Sequence, residues 1–209
     1  MSKLRSEVIK YSKKLNITNL SALRSGNISV RHNNGFLITP SGKKYSSLKV
    51  KDIVFVSLNG KYEKKNKPSS EWRFHQDIYI KKKDAQAIVH SHSANATALS
   101  VHKKPIPAFH YMVALAGGND IKCSKYATYG TRELSKNILK ALNNRKACLI
   151  ANHGQIAFDK NLPDAFELAQ EVENLSLQYI TALKLGKPKI LSLKEMSKVL
   201  KKAKNYKRG

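Results

Sequence analysis

Two turn signals, each flanked by short segments of alternating apolar residues, constrain the fold most strongly. The segment NISVRHNNGFLITP alternates on both sides of Asn33-Asn34-Gly35, and DIVFVSLNGKYE repeats the pattern around Asn59-Gly60. Alternation with period two predicts half-buried strands, and turn residues between two such strands predict a β-hairpin. Strands so close in sequence pair antiparallel, because a parallel pair needs a long crossover. We therefore expect a mostly antiparallel sheet.

Helices are predicted around these strands from apolar residues at helical spacing. At 209 residues the chain is long enough for one substantial core and short for two domains. We expect a single domain over residues 1–209, with a mobile C-terminal tail from about residue 204. The predicted helices lie near residues 4–15, in EWRFHQDIYIKKK and SANATALSVH, and near residues 163–185 and 193–203, while AQAIVH and KACLIANHGQIAFD supply further strands.

The net charge of +25 at pH 7 raises the question of a nucleic-acid partner. Only seven of the 39 basic residues are Arg, and the Lys residues are spread from Lys3 to Lys207 without aromatic interleaving. We therefore expect no specific nucleic-acid binding. A Lys-rich surface of this kind favours attraction of anionic sugar phosphates.

No segment of the sequence predicts a membrane span or a secretory leader. No run approaches the roughly 20 apolar residues of a membrane helix, and MSKLRSEVIKYSKKL lacks an apolar signal-peptide core. We expect a cytoplasmic protein without membrane attachment. Cys123 and Cys148 are then expected to be buried thiols rather than a disulfide.

Two histidines at the end of an apolar strand suggest a metal site. In AIVHSH, His90 and His92 are two residues apart, so a strand points both imidazoles to the same side. A lone His-x-His also occurs by chance at exposed strand ends, and zinc needs further ligands. His153 is a third candidate, since Gly154 after it lets the backbone bend and bring the ring close to another group.

Glu71 is the fourth candidate ligand, at the predicted start of a helix after Ser69 and Ser70. A first-turn Glu is also favoured by the helix dipole alone, so position does not decide between the two interpretations. Three His and one Glu suit Zn²⁺, with Mn²⁺, Fe²⁺ and Co²⁺ as possible substitutes. A catalytic zinc keeps one position open, so the site is either structural or Glu71 leaves the metal and acts as a general base.

Three pairs of small residues could bind a phosphate group. Glycines allow close backbone approach, hydroxyls donate hydrogen bonds, and a helix beginning near Glu71 presents its positive end to an anion. Each pair taken alone is better explained as a turn or a cap, so the phosphate prediction depends on all three meeting at one pocket. The pairs are Gly26-Asn27, Ser41-Gly42 and Ser69-Ser70.

Several longer segments resemble one family, the class II aldolase/adducin family, and within it most closely the L-fuculose-1-phosphate aldolases. The likeness runs from about the first helix to the C-terminal tail. PSSEWRFH and IPAFHYM are far more specific than His-x-His. The segments are GNISVR, LITPSG, PSSEWRFH, HSH, IPAFHYMVALAGG, YATYGTRELS, NRKA and NHGQIA.

The resemblance implies an α/β fold of three layers, αβα, around a mostly antiparallel sheet. It also implies a homotetramer with active sites between subunits. The same matching gives a zinc-dependent enzyme with metal ligands Glu71, His90, His92 and His153, and a phosphate site of Gly26, Asn27, Ser41, Gly42, Ser69 and Ser70.

The activity implied is reversible cleavage of L-fuculose 1-phosphate, or a close ketose 1-phosphate, to dihydroxyacetone phosphate and L-lactaldehyde. In the family the metal binds the oxygens of dihydroxyacetone phosphate, and the residue matching Glu71 moves a proton to or from its carbon. Tyr111 matches a tyrosine that stabilises or protonates the aldehyde oxygen, and Tyr206 a tail tyrosine that closes over the aldehyde. Tyr129 stands where related aldolases have Phe, beside the aldehyde, and Ala203 replaces a tail aromatic.

Two other functions remain open at this point. Relatives of the fold epimerise pentulose phosphates at C4 or dehydrate thiosugar phosphates with the same metal and phosphate site. An adducin-like interaction module would keep the fold and lose the metal site, and the intact Glu71, His90, His92 and His153 speak against that interpretation.

Overall fold

The computed structural model describes residues 1–205 of the chain. Its centre is a seven-stranded sheet in the order β3-β2-β1-β4-β9-β8-β7, and a two-stranded sheet pairs β5 with β6. Neighbours in the large sheet are antiparallel except β7 and β8, which are parallel. The strands are β1 (Asn27–His32), β2 (Gly35–Ile38), β3 (Val54–Ser57), β4 (Ala87–Ser91), β5 (Ile106–Pro107), β6 (Asp120–Ile121), β7 (Cys123–Ser124), β8 (Ala147–Ile150) and β9 (Gly154–Asp159).

Helices cover both faces of this sheet. Alternate strand residues point to opposite faces, so each face supplies its own apolar core. On one side α1, α3 and α5 pack on residues such as Val89 and Leu149, with α6 on the outside of the same cluster, and on the other side α2 and α4 pack on Ile88 and Ile150. The predicted three-layer αβα fold is confirmed. The helices are α1 (Ser2–Ile17), α2 (Trp72–Lys81), α3 (Ala94–Ser100), α4 (Arg132–Ala141), α5 (Leu162–Lys184) and α6 (Leu193–Asn205), with 3-10 turns at Tyr45–Ser47, Val50–Asp52 and Tyr111–Ala116.

The first predicted hairpin forms, and the second forms only in part. Strands β1 and β2 pair from Ser29 opposite Ile38 to His32 opposite Gly35. After Asn59-Gly60 the chain makes only an isolated bridge between Val56 and Tyr62. Strand β3 pairs instead with β2 over four residues, from Gly35 opposite Ser57 to Ile38 opposite Val54.

The structure gives different outcomes for three smaller predictions, which concern the cysteines, the C-terminal tail and membrane spans. Both cysteines are free thiols, but Cys148 is buried and Cys123 is partly exposed, so the prediction of a buried thiol is wrong for Cys123. The predicted tail from about residue 204 falls at the end of α6 and beyond the described residues. In the part of the chain that the structure describes, every helix is too short or too polar to cross a membrane.

Candidate active site and metal centre

Four side chains from three parts of the chain converge at one end of the central strands; we call them the His/Glu cluster. His90 lies in β4, His92 directly follows it, His153 lies between β8 and β9, and Glu71 is the N-cap residue of α2. The Nε2 atom of His90 is 3.0 Å from Nε2 of His92 and 3.2 Å from Oε2 of Glu71. Nε2 of His153 is 3.1 Å from Oε1 of Glu71. The structure therefore brings together all four predicted metal ligands.

The turn that carries His153 packs directly on the end of β4. A Cβ atom on Gly154 would overlap the Ser91 carbonyl oxygen, so only glycine permits this approach. The backbone N–H of His153 donates to Oγ of Ser100 at 3.3 Å, which ties the turn to the end of α3. The predicted role of Gly154, to bring the His153 ring close to another group, matches this geometry.

The donor atoms of the His/Glu cluster fit a divalent metal. Nδ1 of His90 is 2.8 Å from the Gln155 carbonyl oxygen, so it carries the proton and leaves the Nε2 lone pair facing the cluster. Oε1 of Glu71 is buried without a hydrogen-bond partner among the described residues, because His153 is near it but outside hydrogen-bond geometry. The 3.0 Å between Nε2 of His90 and Nε2 of His92 is close to the ligand–ligand edge of about 3.3 Å that tetrahedral Zn–N bonds imply, and the donor atoms of all four residues lie within 4.8 Å of one another.

Electrostatics at the cluster favour a charged Glu71 carboxylate and a neutral His92 imidazole. Burial raises the pKa of the Glu71 carboxyl, but attraction to His90 and His153 outweighs it, and the net pKa lies below the ordinary value. Burial, with repulsion from His90 and His153, lowers the pKa of His92 to about 3. Ionised carboxylate and neutral imidazole are the forms that bind metals.

The three predicted phosphate-binding pairs lie around a single cavity next to the cluster. An isolated bridge between Pro40 and Pro68 holds two of the loops side by side, and Ser69 N–H donates to the Thr39 carbonyl at 3.0 Å. The cavity has a volume of about 390 Å³. Its lining includes Gly26, Asn27, Ser41, Gly42, Ser69, Ser70, Glu71, His92, His153, Tyr126 and Tyr129.

Ser69 and Ser70 cap α2 less directly than the sequence predicts. Glu71 itself occupies the N-cap position, without a side-chain cap hydrogen bond. Oγ of Ser69 instead accepts the Glu71 backbone N–H at 3.3 Å. The serines thus position the start of the helix where Glu71 enters the cluster.

Two residues of the site were missed in the sequence. Arg24 lines the cavity and donates to the Gly42 carbonyl at 2.9 Å, which joins two of the phosphate loops. Tyr45 is buried and donates its hydroxyl to the Gly26 carbonyl. Burial raises the pKa of Tyr45, so the hydroxyl stays a donor. A lone Arg in a polar loop and a Tyr in a 3-10 turn carry no pattern that would have singled them out.

The described residues that were predicted to lie beside the aldehyde are exposed, in contrast to the buried His/Glu cluster. Tyr129 lines the cavity and is 67% exposed. Tyr111 is 54% exposed at the start of a 3-10 turn and is not among the cavity-lining residues of the described chain. Tyr206 lies outside the described residues.

Comparisons with known proteins identify the family of the chain. The family model of the class II aldolase and adducin N-terminal domain matches residues 6–180. A 5-methylthioribulose-1-phosphate/5-deoxyribulose-1-phosphate aldolase of Rhodospirillum rubrum is 48% identical over 203 residues, covering 97% of this chain and 92% of that protein. An L-fuculose phosphate aldolase of Escherichia coli is 47% identical over 206 residues, covering 98% of this chain and 96% of the relative.

A solved structure shows the same fold. An L-fuculose 1-phosphate aldolase superposes with a TM-score of 0.94 at 42% identity, covering 98% of this chain and 97% of that one. With the family match over residues 6–180, this establishes that the chain belongs to the class II aldolase/adducin family.

Proposed function

We propose that this protein is a metal-dependent class II aldolase that reversibly cleaves a ketose 1-phosphate to dihydroxyacetone phosphate and an aldehyde. The first candidate pair is L-fuculose 1-phosphate and L-lactaldehyde. The observation that carries the proposal is the position of Glu71, whose carboxylate contacts the imidazoles of His90 and His153 and lines a cavity of small polar loops. One carboxylate can there both hold a metal and reach a bound sugar.

The proposed metal ligands are Glu71, His90, His92 and His153. Three imidazole nitrogens and one carboxylate oxygen suit Zn²⁺, which is our first choice, with Mn²⁺, Fe²⁺ or Co²⁺ as substitutes. When bound, the ion supplies a Lewis acid that holds negative charge on substrate oxygens. The remaining steps fall to side chains of the protein.

The phosphate group of the substrate is proposed to lie against Gly26, Asn27, Ser41, Gly42, Ser69 and Ser70. Gly42 supports this because a Cβ atom there would meet no heavy atom within 4 Å, so the backbone faces open space. Arg24 adds a positive charge next to the same loop, and guanidinium groups bind phosphate through paired hydrogen bonds. A dianion bound there leaves the sugar carbons to point toward Glu71.

Two proton transfers complete the proposed reaction. In cleavage, the Tyr111 hydroxyl accepts the proton of the C4 hydroxyl and passes its own proton to solvent while the C3–C4 bond breaks, which leaves the electron pair in the enediolate of dihydroxyacetone phosphate. Glu71 takes up a proton from solvent and delivers it to C3 of this enediolate, so that no net proton is gained or lost, and the product leaves. The reverse direction uses the same groups in the opposite order.

Tyr111 is proposed to act from a second copy of the chain. Its ring is 54% exposed, and it is absent from the lining of the cavity in a single described chain. A homotetramer with active sites between subunits would supply it from a neighbour. We also propose a cytoplasmic location, since cellular sugar phosphates are the expected substrates.

The comparisons favour a second substrate as strongly as the first. The Rhodospirillum rubrum relative, named for 5-methylthioribulose 1-phosphate and 5-deoxyribulose 1-phosphate, is 48% identical, against 47% for the Escherichia coli L-fuculose phosphate aldolase. These substrates share the phosphate end and differ in the aldehyde released. Discrimination would then lie at the exposed side of the cavity, where Tyr126 and Tyr129 are found.

A coupled assay for dihydroxyacetone phosphate tests both proposals. The zinc-loaded protein is given each of the three ketose 1-phosphates in parallel, with and without a chelator. We expect chelator-sensitive release of dihydroxyacetone phosphate from at least one of them, and the ratio of kcat/KM values identifies the preferred aldehyde.

The same zinc-loaded protein, given a pentulose 5-phosphate or a thiosugar phosphate instead, tests for the other reactions of this fold. Consumption of a pentulose 5-phosphate without dihydroxyacetone phosphate would favour epimerisation, and loss of water from a thiosugar phosphate would favour dehydration. A protein that binds no stoichiometric metal and cleaves none of the substrates would overturn the aldolase proposal.

A further inference from the structure

A buried chain of hydrogen bonds runs from Glu71 through Asn27, which also lines the cavity, into the interior of the protein. Nδ2 of Asn27 donates to Oε2 of Glu71 at 3.0 Å, and Oδ1 of Asn27 is 2.5 Å from Nε2 of His75. Nδ1 of His75 is 2.7 Å from Oγ of Ser29, which is 2.8 Å from the Tyr79 hydroxyl. Apart from Glu71 at one end, none of these residues is a cluster member.

Secondary structure places all five side chains in register. Glu71, His75 and Tyr79 are four residues apart, so they share one face of α2 and its N-terminus. Asn27 and Ser29 alternate with Ile28 in β1, and therefore both face α2. The strand lies under the helix, and each strand side chain bridges two helix side chains.

The direction of every hydrogen bond in this chain is determined. The ionised Glu71 carboxylate only accepts, so the amide nitrogen of Asn27 must face it and the amide oxygen must face His75. Burial, with repulsion from His90, lowers the pKa of His75 to about 3, so its ring is neutral and carries one proton. That proton must be on Nε2, because Asn27 offers an acceptor there.

At the Tyr79 end of this series of hydrogen bonds, the donor and acceptor roles are determined as well. Nδ1 of His75 can then only accept, from the hydroxyl of Ser29, and Ser29 accepts in turn from Tyr79. Burial raises the pKa of Tyr79, which keeps its hydroxyl protonated. The imidazole of His75 also stacks on the rings of Phe74 and Phe36, with centroid distances of 4.9 Å and 6.4 Å, and both rings hinder its rotation.

We propose that His75 is a positioning residue that fixes the amide of Asn27 with its N–H group toward Glu71. If the amide flipped, its oxygen would face the Glu71 carboxylate, and two acceptors would repel each other. Fixing it holds Oε2 at its hydrogen bond and leaves Oε1, which has no hydrogen-bond partner among the described residues, for the metal. The role in proton transfer rests on the proposed function, whereas the role in metal binding does not.

Two substitutions at the same position separate the proposal from a merely structural role. In His75→Gln the side-chain amide nitrogen can replace Nε2 and still donate to Asn27. In His75→Asn the shorter amide can replace only Nδ1, so the contact with Ser29 is kept and the one with Asn27 is lost. Both variants bury one neutral amide in place of one neutral imidazole, which makes them matched controls for folding.

The measurements are zinc affinity by competition with a chromophoric chelator, thermal unfolding of the metal-free protein, and kcat and KM for the ketose phosphate. Loss of an outer hydrogen-bond partner of a metal ligand typically costs 10–100-fold in affinity or activity, so we expect His75→Asn to lose about tenfold or more in zinc affinity and in kcat, with KM nearly unchanged. His75→Gln should stay within about threefold of the wild type on the same scale. Equal zinc affinity and kcat in both variants, with only the unfolding temperature lowered, would overturn the proposal.

Nitrogen-15 NMR of the metal-free wild type tests the geometry without any assay. Long-range ¹H–¹⁵N spectra should show His75 as the neutral Nε2–H tautomer between pH 6 and about 8. The Nδ1–H tautomer would overturn the proposal even if both variants failed to fold. A protein that shows the expected tautomer and zinc affinities but no cleavage would refute the proposed function and leave the role of His75 standing.

Discussion

The His/Glu cluster and the mouth of its cavity differ in the burial of their side chains. The cluster is built from strand ends and a helix start within one chain, and the side chains of His90, Glu71 and His153 are only 0–12% exposed. At the mouth Tyr126 and Tyr129 are 56% and 67% exposed, and Tyr111 does not reach the cavity of its own chain. The part proposed to be common to all substrates is therefore rigid, whereas in the proposed function the part that meets the aldehyde depends on exposed side chains and on a second copy.

The largest expected effect comes from a substitution in the buried His/Glu cluster. His92→Ala removes a metal ligand, and a bound metal contributes several kcal/mol to the transition state, so we expect cleavage to fall by more than about 10³-fold. Metal analysis should show that most of the zinc is lost as well. His102→Ala, an exposed histidine outside the cluster, is the control and should retain both metal and activity. Full activity of His92→Ala would remove the site assignment.

The next prediction tests whether the two sides come from different chains. Glu71→Gln and Tyr111→Phe each remove a group that we propose transfers a proton, and each should lower kcat by about 10²-fold or more, with some metal retained in both. When the two inactive variants are co-expressed in one oligomer, some sites receive an intact Glu71 and an intact Tyr111. We expect activity to be partly restored, as measured by the coupled assay. No recovery in a verified mixed oligomer would place both groups in one chain.

The comparison also explains what the sequence could and could not predict. The cluster was predictable because strand alternation and a His-Gly turn put three imidazoles at strand ends, and a predicted helix start offered Glu71, for which the family resemblance selected the metal-ligand interpretation. The hydrogen bond between His75 and Asn27 also follows from spacing in the sequence. His75 lies at i, i+4 spacing on a helix face, and Asn27 lies at i, i+2 spacing on the strand that this face contacts. This hydrogen bond was missed because a buried polar pair has no apolar periodicity to mark it. Arg24 could not be found at all, since loop closure across residues 24–42 depends on the tertiary path.

A smaller effect is expected from Arg24, which lies at the edge between the rigid loops and solvent. Arg24→Gln removes one exposed positive charge near the proposed phosphate, so KM should rise by about three- to tenfold while kcat changes little. The rise should shrink at high salt, because exposed charges are screened. Lys44→Gln, an exposed lysine that does not line the cavity, is the charge-matched control. Equal KM values in the two variants would exclude Arg24 from phosphate binding.

The smallest expected effect lies at the exposed mouth. Tyr129→Phe removes a hydroxyl that is in contact with water, and a site that does not bury a hydroxyl discriminates only weakly for or against it. We expect the ratio of kcat/KM between L-fuculose 1-phosphate and 5-deoxyribulose 1-phosphate to change by about two- to tenfold, with zinc content unchanged. Tyr126→Phe, also exposed in the cavity lining, is the matched control and should leave the ratio nearer to that of the wild type. If the ratio moves equally in both variants, selectivity is a property of the polar mouth as a whole. If it moves in neither, the aldehyde is selected by groups that only the assembled oligomer supplies.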